Sequence, residues 1–194
     1  MADSIVSGTG NGRYAAEVSS DNKLRTRAVI ETETQHAVEL GDSYNINTGD
    51  ISISADSALL YFYNGEEEDV FIDAIALGIT DGTQSDIQKA MVIRNPTAGT
   101  IVSGASAVAM NSNNNFGSAK ALSVSTAYKG ASGNTFTNGT DHALLYQTDN
   151  GRLYAGLPML LPKGSSIGIE LDVNLSSGSV TVYAALVAHL VEII

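Results

Sequence analysis

The chain has 194 residues, of which 43% are hydrophobic and 16% charged, with a formal net charge of -11. It is long enough for one sizeable core. Having no cysteine, it excludes disulfides, thiolate metal centres and cysteine nucleophiles. Charged residues fall below the ~25% usual in soluble domains. Nineteen glycines with abundant Ser, Asn, Asp and Thr suit a protein of many tight turns, hence an all-β fold. The charge is uneven. Residues 1–27 hold four basic against three acidic groups, so +1, and residues 28–194 hold six against eighteen, so -12. Phosphate contacts need concentrated Lys and Arg, so nucleic acid is not an expected partner.

Residues 1–12, MADSIVSGTGNG, read as a flexible lead. They lack the basic start and apolar run of a signal peptide, and no stretch approaches the ~18 apolar residues of a membrane span. The expectation is a soluble protein made in a cytoplasm, with no membrane partner.

From Arg13 to Ile30, RYAAEV and KLRTRAVI show strand-like alternation about the turn SSDN, whose Asp and Asn tolerate positive φ. The spacing predicts a β-hairpin. A lone two-stranded hairpin is marginal in water, so it needs a partner surface. TETQHAVEL ahead of Gly41 predicts a short helix with a glycine C-cap. The expected division is an arm over residues 1–42 and a β-domain over 43–194.

From Ser43 the pattern is one of dense short strands: SYNINT, ISIS, ALLYFYN, VFIDAIALGIT, KAMVIRN, HALLYQTD, RLYAGLPMLL, SIGIELDVNL and SVTVYAALVAHLVEI. Turn signals such as NGEEED, DGTQSD, NPTAG, TDNG and LPKGSS separate them. Strands at this spacing predict an antiparallel sandwich or barrel. The Gly/Ala/Ser/Asn-rich stretch over 97–141 breaks the rhythm. It predicts an excursion of loops and short strands that packs on a neighbouring subunit. The last strand is strongly apolar and is expected to be tied into the sheet or an interface.

Glu66, Glu67, Glu68 and Asp69 could offer carboxylate oxygens to Ca²⁺, but no EF-hand spacing is present and a turn between strands is the plainer reading. Asp81–Asp86 and Asp149–Gly151 read as ordinary turns. His36, His142 and His189 have no metal-ligand spacing, and no GxSxG elbow marks a nucleophile. Glu170 and Asp172 alternate with Ile169, Leu171 and Val173 as in a half-exposed strand. Tyr61 and Tyr63 could form a sugar platform, though packing explains them as well. No catalytic residue, cofactor or enzymatic activity is expected.

The segment from Gly12 to Ile53 resembles the N-terminal segment of structural proteins in tailed-phage virions. The matching positions are Tyr14, Ala16, Val18, Leu24, Val29, Gly41, Asp42, Tyr44 and Asn45. LPMLLPKGSSIGIELDVNLSSGSVTVYAALVAHLVE is similar to the last strands of viral jelly rolls. The resemblance implies an antiparallel jelly-roll-like β-sandwich preceded by an N-terminal β-hairpin arm. It further implies a virion location and a decoration (cement) or head-fibre role. On that reading Arg13, Tyr14, Val18, Lys23, Leu24, Arg25 and Arg27 dock on the major capsid protein or a neighbouring virion protein, and copies join as a homotrimer. The alternative is a glycan-binding adhesin module on the virion surface.

Overall fold

The computed structural model describes residues 4–7, 14–18, 24–26, 32–81, 88–104, 106–108, 112–147, 152–173, 175 and 178–191. The chain divides into two compact units, Met1–Gln35 and His36–Ile194.

The first unit holds β1 (Ser4–Ser7), β2 (Tyr14–Val18) and β3 (Leu24–Thr26), an antiparallel sheet in the order β1-β2-β3. The expected hairpin is β2–β3, in the register Ala16↔Thr26, Glu17↔Arg25 and Val18↔Leu24. Its SSDN turn lies outside the described residues. The lead expected to be flexible instead contributes β1, which pairs Ile5 with Ala16 and Val6 with Ala15. The β-branched pair Ile5-Val6 favours a strand, and a third strand relieves the marginal stability of a hairpin.

Helix α1 (Glu33–Leu40) starts with a capping box: the Thr32 hydroxyl accepts the Gln35 N–H, and Gln35 Oε1 accepts the Thr32 N–H. It ends in a Schellman motif. Gly41, at φ 77°, donates to Val38 O, and Asp42 donates to Ala37 O. The predicted helix and cap are therefore present. The contacts of Glu39 and Gly41 with residues 113–115 tie the segment after residue 35 to the second unit.

The second unit is an antiparallel β-sandwich, as expected. Its elements are β4 (Ser43–Asn47), β5 (Ile51–Ile53), β6 (Ser57–Tyr63), β7 (Val70–Asp81), β8 (Gln88–Arg94), α2 (Thr100–Gly104), β9 (Ser106–Ala107), β10 (Thr126–Lys129), β11 (Thr140–Gln147), β12 (Arg152–Ala155), β13 (Met159–Leu161), β14 (Ser166–Asp172) and β15 (Val180–Leu190). One sheet runs β12-β7-β15-β4, with β13 also along β7 and β5 also along β15. The other runs β11-β8-β14-β6-β10-β9. β9 and β10 form an edge extension. With β4–β5 and β12–β13 each taken as one strand, the remaining eight in chain order occupy the positions 6-3-8-1 and 5-4-7-2.

Alternation builds the core. Val180, Val182, Ala184, Leu186 and Ala188 of β15 face Ile167, Ile169 and Leu171 of β14 and Leu60 and Phe62 of β6, all buried. At the ~25 cal/mol/Å² typical of apolar burial, each large aliphatic contributes about 1.5–3 kcal/mol. The apolar strand β15 is bonded on both sides.

Bulges re-aim side chains where the alternation breaks. Val187 pairs with Ala74 and Ala188 with Ile72, which leaves Asp73 as an extra residue on β7. His142 is the extra residue between Asp141 and Ala143 on β11. Such insertions bend a strand and are enriched near sites.

The described part of the 97–141 stretch is loops and short strands, with one helical turn. It packs on its own chain: Ile101, Val102, Tyr128 and Phe136 cover Ala58 and Tyr61 on the outer face of the second sheet. Gly168 lies beneath the Phe136 ring, where a Cβ would come within 2.4 Å of it. Among the described residues, no helix is long and apolar enough to cross a membrane.

Candidate interaction site

The residues expected to dock fall in the first unit. Tyr14 opens β2 opposite Ser7, Val18 faces Leu24, and Arg25 faces Glu17. Arg13, Lys23 and Arg27 lie outside the described residues. In the order β1-β2-β3 the outer edges of β1 and β3 have no partner strand among the described residues. An open strand edge is a row of backbone donors and acceptors ready for another chain.

Within the acidic run, Glu66 and Glu67 turn to different partners. Glu66 is buried, and its Oε1 accepts the N–H groups of Val124 and Ser125, both at 3.0 Å. Glu67 pairs with Lys163. Asn64, fully buried, spans the turn: its Nδ2 donates to Glu68 O (3.0 Å) and Leu161 O (2.9 Å), and its Oδ1 accepts the Glu66 N–H. Unpaired buried polar groups are costly, so Asn64 and Glu66 act as struts. Among the described residues no three His, Cys, Asp or Glu side chains gather as metal ligands.

His189 is buried on the outer face of the first sheet, and its Nδ1 lies 2.9 Å from Asp73 Oδ2. Its Nε2 has no hydrogen-bond partner among the described residues. The register places Ser43 opposite His189, but Ser43 Oγ accepts Asn114 Nδ2 at 2.8 Å and makes no bond to the imidazole. A hydrogen-bonded nucleophile–base pair is therefore missing here. The sequence hid this pair because Asp73 reaches His189 only through a bulge.

Glu170 and Asp172 share the outer face of the second sheet. Asp172 pairs with Lys89 at 3.2 Å. Burial, and then the charge of Asp172, raises the pKa of Glu170 above the usual carboxylate value. Burial pushes the Tyr44 phenol up to about 12, helped by Asp42. Tyr61 is buried and stacks on Tyr128 with ring centroids 6.0 Å apart, so its face is not free for a sugar.

No family model matches this chain, and no curated protein matches it significantly.

Proposed function

We propose that this protein is a non-enzymatic virion structural protein of the tailed-phage decoration type. Its N-terminal sheet docks on the capsid, and its β-domain is the displayed body. The observation that carries the reading is a three-stranded unit within Met1–Gln35 whose two outer strands have no partner strand among the described residues. Such a sheet is completed by strand addition on another protein. Four of the chain's ten basic residues, Arg13, Lys23, Arg25 and Arg27, fall within the first 35 residues of the sequence and meet acidic groups on the partner. The strand positions 6-3-8-1 and 5-4-7-2 support jelly-roll winding for the body. Copies associate with one another through the β-domain.

Deleting residues 1–31 tests the docking role. The truncated protein is expected to stay folded and soluble and to lose binding to phage heads. Wild-type occupancy of heads by the truncated protein refutes the reading.

A further inference from the structure

Among the described residues six large apolar side chains are exposed, and they fall at two edges of the sandwich. Leu40, Phe116 and Val124 lie on the side of β4, β6 and β10. Leu144, Tyr154 and Leu160 lie on β11, β12 and β13, at the opposite ends of both sheets. From β13 to β4 there are three strand spacings, about 14 Å.

The first edge carries a knob. Phe116 is 100% exposed, yet its loop is fixed. Asn113 Nδ2 donates to Gly41 O at 2.6 Å, Asn114 Nδ2 to Ser43 Oγ at 2.8 Å, and Asn115 Nδ2 to Glu39 O at 3.2 Å. The backbone of Ser112 and Asn114 bonds β4 at Asn45 and Ser43. Three consecutive asparagines are thus spent on holding a phenyl ring in water. A rigid apolar side chain loses little entropy on binding.

The second edge carries a socket. A cleft of about 280 Å³ opens there, lined by Val92, Met159, Leu161 and Ile167 together with Arg94 and the bulged His142. An apolar cavity of ~150 Å³ holds benzene, so this one has room for a phenyl ring. The charges are complementary. Among the described residues Lys89, Lys120 and Lys163 pair with Asp172, Asp42 and Glu67, whereas Arg94, like Lys129 and Arg152, has no ion pair and is the one that lines the cleft. Glu39, exposed, stands beside the knob loop.

We propose that Phe116 of one copy inserts into this cleft of a second copy, with Glu39 of the first facing Arg94 of the second. The two surfaces differ, so the contact is head-to-tail, and it gives a ring where the rotation closes. A lone phenylalanine buries only about 150–250 Å². Leu40 and Val124 on one side, and Leu160, Tyr154 and Leu144 on the other, supply the flanking area. The inference rests on the self-association in the proposed function, not on docking.

Sedimentation of the full chain tests it. Wild type is expected to form species heavier than the 20.2 kDa monomer. Phe116→Ala and Leu160→Glu, both at exposed positions, are each expected to weaken association at least about tenfold, as loss of a hot spot does. Phe116→Ala keeps its cleft and Leu160→Glu keeps its knob, so an equal mixture is expected to recover a heterodimer at wild-type strength. A monomeric wild type at the highest soluble concentration, unchanged association in either variant, or a mixture that does not recover each overturns the proposal. Both variants retain the N-terminal unit, so head binding by them reports docking separately.

Discussion

Among the described residues the first unit is three strands of four, five and three residues, while the second encloses a core between two sheets and pairs its buried polar groups internally. Asn64 and Glu66 satisfy five backbone groups in one turn, and Asn113 to Asn115 brace another loop. In the first unit the outer backbone of β1 and β3 has no partner strand among the described residues. The docking proposal rests on this difference. A polar group that is already answered inside its own chain holds the fold, and an open strand edge is answered by another chain.

The largest effect expected within the body comes from breaking one of these internal answers. Glu66→Ala leaves the Val124 and Ser125 N–H groups without their acceptor. The expected loss is about 1–3 kcal/mol, read as a lower urea midpoint at unchanged slope. An unchanged midpoint would mean that the acidic turn is a solvated face, and the contrast with the first unit would weaken.

A smaller effect concerns Glu170. Its folded-state pKa is raised by burial, so the folded state holds its proton more tightly than the unfolded state. Stability from this group is present at low pH and falls as pH rises through the unfolded and then the folded pKa. Glu170→Gln is therefore expected to melt slightly above wild type at pH 7, the difference vanishing in acid. A variant that melts lower at pH 7 contradicts that sign.

Much of the body was legible in the sequence. The strongly apolar SVTVYAALVAHLVEI announced a strand tied into the sheet, and TETQHAVEL ahead of Gly41 announced α1 and its glycine cap. Three features were not legible, each for a physical reason. RLYAGLPMLL reads as one strand, but the chain leaves β7 after Ala155 and rejoins it at Met159. The bulges at Asp73 and His142 depend on cross-strand register, which one segment alone does not specify. Residues 97–141 carry little hydrophobic periodicity because they cover the outer face of a sheet with isolated side chains, Ile101 and Phe136 among them. The acidic run, whose plainer reading was a turn between strands, buries Glu66 as an acceptor of two backbone N–H groups, and the Gly/Ala/Ser/Asn-rich stretch expected to pack on a neighbouring subunit displays Phe116.

The most direct measurement is amide hydrogen exchange across β3, Leu24–Thr26, in the free protein and on phage heads. Completion of the open sheet edge by the capsid predicts that these amides exchange fast in free protein and slow strongly on the particle, while the core strands β14 and β15 do not change. Equal exchange of β3 in both states contradicts the account.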